Sequence, residues 1–265
     1  MKIRIHKKES FYLTLMILWS SAFYLSLFST FANIEIEMSK LLLLPIILYP
    51  SILMAIAFVS AITMLGSLRG NSVEVSESNF PELFEILKSQ SIKLNLNKIP
   101  SLYIMEQGGF LNAFATKLLG RNYIVLYTEV LKTAYQEGMS TVEFIIGHEL
   151  GHIKRKHVGG PLSKFILPAK FVPFLNFAYS RACEYTCDTI GYDLSPEGAQ
   201  NGLLILATGK DLYKKINVNE CIRNYTAKKG FVTWFVEIFS THPHLMKRIA
   251  RINELSADIL SNKKL

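Results

Sequence analysis

Two long stretches without a charged residue, Phe11 to Ile34 and Leu41 to Leu68, constrain this chain more than anything else in it. At 1.5 Å per helical residue, each is long enough to cross the ~30 Å hydrocarbon core of a bilayer. Uninterrupted apolar runs of that length are foreign to soluble domains, whose helices alternate a buried and a wet face. A secretory signal would be shorter and would end in small residues at a cleavage site, which the first stretch lacks. Both stretches are therefore read as transmembrane helices. They account for a mean hydropathy of +0.25, high for a soluble protein.

Flanking charges set the orientation. Lys2, Arg4, Lys7 and Lys8 precede the first stretch, whereas Glu35, Glu37 and only Lys40 lie between the two. The positive-inside rule puts the N-terminus in the cytoplasm and returns the chain there after the second span. That reading is of a multi-pass cell-membrane protein, in bacteria of the inner membrane, with its folded part cytoplasmic. Cys183, Cys187 and Cys221 are three in number, which implies no disulfide framework. The net charge of +8 comes without a basic stripe interleaved with aromatics. It points to an anionic bilayer surface as partner, not to nucleic acid. No sequence feature specifies an oligomeric state.

The chain divides into a membrane anchor over 1–70, a polar, serine-rich linker over 71–79 and a cytoplasmic domain over 80–265. Asn79 reads as the cap of a helix from Phe80 to about Lys93, with Pro81 in its first turn. Short β-like segments follow at Ser101–Glu106, Phe110–Lys117 and Tyr123–Tyr127, separated by the turns Gln107-Gly108-Gly109 and Gly120-Arg121-Asn122. They predict a small, mostly antiparallel sheet. Ser140 and Glu143 have capping-box spacing, so a helix should start there and run to about His157, stopped by Gly159-Gly160-Pro161. Leu162 to Tyr179 is apolar but interrupted by Lys164, Pro168, Lys170 and Pro173, which suits an interfacial segment or shallow hairpin better than a span. Further helices are expected over Ser180–Tyr192, from Ser195 and Pro196 to Thr208, and from Thr241 past Leu255. The fold class is α+β, mainly helical.

Within the helix expected over Ser140–His157 lies His148-Glu149-Leu150-Gly151-His152. Positions four apart share a helical face, so His148 and His152 can offer two imidazole nitrogens to one zinc ion. Glu149, a step round the same turn, can take a proton from the water that zinc activates. A catalytic zinc needs a third protein ligand and an open fourth position. The metzincin pattern would put glycine at position 155 and histidine at 158, where this chain has Arg155 and Val158; His157 is out of register. A carboxylate from a later helix is the other common solution. Glu184 and Asp188, four apart, share a face: one can ligate zinc while the other accepts the free N–H of a ligating histidine.

His148-Glu-Leu-Gly-His152 together with Ser180-Arg-Ala-Cys-Glu184-Tyr-Thr-Cys-Asp188 resembles the HtpX-type membrane zinc peptidases, kin to the CAAX prenyl-protein endopeptidases. Asn112-Ala113-Phe114-Ala115 is similar to the family's edge strand beside the active site, along which substrate lies extended. Thr241-His242-Pro243, with Arg248 six residues after the histidine, is similar to its Thr-His-Pro segment. The likeness runs from about Phe80 to Leu255. It implies a gluzincin-type zincin fold, one Zn2+ per chain on His148, His152 and Glu184, and Asp188 behind them. It further implies Glu149 as base, His242 and Arg248 at the oxyanion, and Asn112, Ala113 and Phe114 against the substrate.

The chain departs from that family in two places. The family usually inserts two further spans between the zinc motif and the glutamate, whereas residues 153–183 leave room for a shallow hairpin at most. Cys187 stands where the family typically has alanine and reads as a buried structural thiol. Two spans cannot build the many-span chamber of the prenyl-protein enzymes. The activity implied is hydrolysis of extended or unfolded polypeptide, with a role in membrane protein quality control by analogy. A membrane-anchored, chaperone-like protein that binds peptides without cutting them is the alternative, and such a protein has no need of a base at Glu149. A zinc site inside the bilayer is excluded by the cost of burying Lys154, Arg155 and Lys156 there.

Overall fold

The computed structural model describes residues 1, 3–33, 36–108, 112–208 and 213–262. The uncharged stretches form α1 (Lys7–Ala32) and α2 (Ile36–Asn71), both long and apolar enough to cross a membrane. Glu37 and Lys40, expected in a loop, lie instead in the opening turns of α2, and Glu35 is outside the described residues. The chain continues through β1 (Ser72–Glu74), α3 (Pro81–Lys93), β2 (Ser101–Met105), β3 (Ala113–Leu118) and β4 (Arg121–Tyr127). Helices complete it: α4 (Thr128–Glu137), α5 (Met139–Lys154), α6 (Pro161–Phe165), α7 (Leu175–Leu194), α8 (Pro196–Thr208), α9 (Val218–Ala227), α10 (Phe231–Ile238) and α11 (Leu245–Asn262). Gly109, Phe110 and Leu111, read as turn and strand start, fall outside the described residues.

Among the described residues the four strands form one mixed sheet in the order β1-β2-β4-β3. Two of its ladders are antiparallel, as expected, but β2 and β4 run parallel. The β3–β4 hairpin causes this: β3 takes the outer edge of β4, so β4 returns alongside β2 in the same sense. β1, inside the segment expected as linker, covers the other edge of β2.

The sheet is buried on both faces, which is why β2 and β4 read as continuous apolar runs without alternation. Leu102, Ile104, Ile124 and Leu126 face the helical core with Leu83, Phe144 and Leu150. Tyr103, Met105, Tyr123 and Val125 face the other way, onto Leu65 and Leu68 at the end of α2. Full burial of one such leucine contributes about 1.5–3 kcal/mol. The second apolar helix therefore ends as a structural layer of the folded domain.

Four helix starts differ from the sequence expectation: α7 begins at Leu175 and α11 at Leu245, not at Ser180 and Thr241, and the other two are those of α3 and α5. The residue before α3 is Phe80, in the left-handed region at φ 60°, and not an Asn79 cap. The Ser140–Glu143 capping box does not form either, because α5 begins earlier, directly after Gly138 at φ 110°. There the chain turns sharply out of α4, a backbone angle that favours glycine. Ser140, now inside the first turn, instead accepts a hydrogen bond at its carbonyl from Ser195 Oγ at 2.9 Å.

Glycine lets the central helices approach closely. A Cβ on Gly151 of α5 would stand 3.2 Å from Cys187 Sγ of α7, and one on Gly198 of α8 would stand 1.9 Å from the Ser140 carbonyl. Leu162 to Tyr179 forms a short hook: α6, a single 3-10 turn over Pro168–Phe171, then the start of α7 at Leu175. Its Ile166 and Ala169 pack on Met16 of α1. Helix α10, which the sequence reading did not anticipate, leaves Phe231, Val232, Trp234 and Phe235 exposed, and Phe239 just beyond it touches Phe174 ring to ring.

Candidate active site

Helices α5 and α7 build the centre of the site. The four-residue spacing stacks His148 over His152, their Nε2 atoms 3.3 Å apart. Across the glycine-lined contact, α7 presents Glu184, with Oε1 3.3 Å from His152 Nε2 and Oε2 3.6 Å from His148 Nε2. These three side chains could together hold a metal ion. Glu149 is buried and opens on the same cleft, of about 290 Å³.

The carboxylates of α7 are held charged in a dry setting. Burial pushes the Glu184 carboxyl up, but the hydrogen bond from His152 and the charge of Arg248 outweigh it and hold it well below the ordinary range. Asp188 is opposed by burial in the same way and held low by Arg248, whose Nε and Nη2 donate to it at 2.8 and 2.6 Å. Asp188 Oδ1 also lies 3.0 Å from His148 Nδ1, a contact that a small ring rotation would align as a hydrogen bond. The Cys187 thiol is raised well above its usual value by burial, so it stays neutral in this donor cluster.

A third side chain of α7 gathers the C-terminal part. Arg181 Nη1 donates to the carbonyls of Glu237, Ile238 and Ser240 at 2.6, 3.1 and 2.7 Å. Ser240 Oγ in turn donates to the His242 carbonyl at 2.7 Å. His242 thereby hangs over the cleft, 63% exposed, with Nε2 3.6 Å from Glu184 Oε1 and Nδ1 2.9 Å from Thr241 Oγ1. Arg248 was expected at the oxyanion. Its Nε and Nη2 are instead taken by Asp188, and its Nη1 lies 3.3 Å from Glu184 Oε2.

On the opposite wall Asn112, Ala113 and Phe114 line the cleft with Ala115. Strand β3 pairs only with β4 among the described strands, so its outer edge is open. Tyr127 N–H donates to the Asn112 carbonyl at 3.0 Å, and the alternation of an antiparallel ladder then turns the backbone groups of Ala113 and Ala115 outward. The Ala113 N–H is occupied by its neighbour's Asn112 Oδ1 at 2.9 Å.

Every residue the sequence singled out is thus found at one cleft, with Asp188 directly behind His148. The sequence reading missed Glu9, Arg155 and His157. His157 had drawn notice only as out of register for another ligand pattern, yet its Nδ1 lies 3.2 Å from His152 Nδ1. A lone acid just before an apolar run was the available signal for Glu9.

A model of peptidase family M48 matches residues 77–167 and 160–256. A protease HtpX homolog of Pyrococcus furiosus is 24% identical over 235 residues, covering 71% of this chain and 78% of that protein. Among solved structures, the Ste24p of S. mikatae is similar over 89% of this chain with a TM-score of 0.47 and 15% identity, and the chain spans 61% of its length. The family match takes in the zinc-type motif, the α7 carboxylates and the His242 segment together, and by it this chain belongs to peptidase family M48.

Proposed function

We propose that this protein is a membrane-anchored zinc endopeptidase acting on extended or unfolded segments of polypeptide. The observation that carries the reading is the convergence of His148, His152 and Glu184: the two imidazole Nε2 atoms stand 3.3 Å apart, with Glu184 Oε1 3.3 Å from that of His152 and Oε2 3.6 Å from that of His148. Donors bound to one tetrahedral zinc at about 2.0–2.1 Å stand about 3.4 Å from each other. Two imidazoles and one carboxylate, with the remaining side open to a cleft, are a catalytic donor set and not the closed thiolate set of a structural site. A zinc ion held there would polarise a scissile carbonyl and acidify water.

The chain's own residues supply the rest. Glu149 takes the proton of the attacking water and delivers it to the leaving amine nitrogen. With the Thr241 hydroxyl donating to Nδ1, His242 carries its proton on Nε2 and donates it as a hydrogen bond to the developing oxyanion. Arg248 holds Asp188 and Glu184 in place, and Asp188 orients His148. The open edge of β3 pairs with the substrate backbone by strand addition, which selects extended chain and tolerates many side chains. Such tolerance suits the clearing of damaged membrane proteins. Both apolar helices cross the bilayer, and the exposed apolar faces of α10 and of the segment before α7 rest on the cytoplasmic surface.

The test is Glu149→Gln in the full-length protein, purified in detergent and assayed on an unfolded protein. It should bind zinc one to one and lose activity about a hundred- to ten-thousandfold. Cleavage at the wild-type rate would overturn the reading; retained binding of unfolded substrate with no cleavage by wild type would favour the chaperone-like alternative.

A further inference from the structure

We infer that the first membrane helix completes the metal site: Glu9, acting through His157, fixes the ring of His152. This rests on the zinc reading above. Glu9 lies at the start of α1, 1% exposed, and its Oε1 sits 3.2 Å from His157 Nε2. The other nitrogen of His157 sits 3.2 Å from His152 Nδ1. The chain of contacts therefore runs carboxylate, imidazole, imidazole, and ends on the nitrogen of His152 that faces away from His148 and Glu184.

Only one arrangement of protons satisfies these contacts with a metal on His152 Nε2. His152 then carries its hydrogen on Nδ1 and donates it to His157 Nδ1. His157 must accept there, so its own hydrogen is on Nε2, which donates to Glu9. A ligating histidine is ordinarily oriented by one carboxylate or carbonyl on its far nitrogen. His148 has its carboxylate within direct reach, with Asp188 Oδ1 3.0 Å from its Nδ1. For His152 the carboxylate is one imidazole further away and comes from a different part of the chain.

Neighbouring groups fit this role. Arg155 donates to Glu9 Oε1 from Nε at 3.0 Å and from Nη2 at 2.7 Å, which compensates the buried charge. Glu9, His157 and Cys183 also stand close enough together to hold a cation of their own, but the guanidinium already fills that corner. The segment before α1 is tied down as well: Arg4 pairs with Asp193, and the His6 N–H donates to Thr186 Oγ1 at 3.0 Å, both on α7. Glu9 is thus held against the helix that carries Glu184.

The measurement is zinc affinity, by chelator competition on metal-stripped full-length protein in detergent, for Glu9→Gln, His157→Phe and the double variant. His157→Phe should weaken zinc about ten- to a hundredfold, and Glu9→Gln about tenfold. Because Glu9 acts through His157, adding Glu9→Gln to His157→Phe should change the affinity by less than about twofold. Unaltered affinity in Glu9→Gln would overturn the relay, and so would losses that multiply in full, since a merely structural role adds independently. If His157→Phe does not fold, His157→Asn replaces it, its amide reaching the Nδ1 position but not Glu9. It should lose less affinity than the phenylalanine variant was to lose, and Glu9→Gln should again add nothing. Wild-type protein that takes up no zinc would overturn the zinc reading itself, a result distinct from normal uptake with Glu9→Gln unaffected.

Discussion

The centre of the cleft and its rim are built on opposite principles. At the centre, His148, Glu184, Asp188 and Arg248 are buried between helices that touch through glycine, and each carboxylate has a charged partner. At the rim, His242 is 63% exposed on a segment held by carbonyl contacts, and the edge of β3 offers bare backbone. A rigid, dry centre suits holding a cation, whose geometry tolerates little error. A wet rim suits a substrate that must enter, pair and leave. The two should therefore separate by readout: changes at the centre should appear in metal affinity, and changes at the rim in turnover with the metal still bound.

Glu184→Ala is the largest way to break that division. Loss of a direct ligand should exceed the ten- to hundredfold that an outer partner costs, so zinc affinity should fall by more than about a hundredfold and proteolysis should vanish with it. Helical content measured by circular dichroism should persist, since Asp188 still neutralises Arg248. A variant that kept one zinc per chain at wild-type affinity would remove Glu184 from the ligand set and leave the centre without its third donor.

His242→Phe comes next. Removing one oxyanion donor costs about a hundred- to a thousandfold in kcat. Zinc affinity and KM should stay within about twofold, because the exposed imidazole reaches Glu184 only at 3.6 Å, beyond hydrogen-bond distance. If zinc leaked away instead, His242 would belong to the centre. If kcat held, the oxyanion would be served by something else.

The same division governs how much could be read from the sequence. The centre is written in local spacing: His148 to His152 and Glu184 to Asp188 are each one helical turn, so helix periodicity alone puts them on common faces. Pro196 at the start of α8 was legible for the same local reason. What escaped is what depends on partners far along the chain. Glu9 and His157 meet across most of the sequence, and no periodicity links a residue at a membrane-helix start to one past the zinc motif. Helix α4 follows β4 without a breaker between Tyr127 and Thr128, so nothing marks its start. The apolar run of α10 is too short to separate helix from strand by pattern. Ser140 and Glu143 had the right spacing for a cap, but the backbone at Gly138 set the helix start before they could act.

The smallest effect tests the rim where it has no side-chain chemistry at all. Ala115 turns its N–H and carbonyl away from β4, so Ala115→Pro removes an outward donor without touching the β3–β4 ladder. One hydrogen bond of about 0.5–1.5 kcal/mol is at stake, which is about a two- to thirteenfold loss in kcat/KM on an unfolded substrate. The loss should fall on KM, because strand addition holds the substrate before and during the reaction alike. Zinc affinity should not move. A control proline at Ala113 should do less, because that N–H is already satisfied by Asn112 Oδ1 and is not free for substrate. Equal losses at the two positions would mean that Asn112 gives way when substrate binds, which makes it a placeholder for the incoming strand.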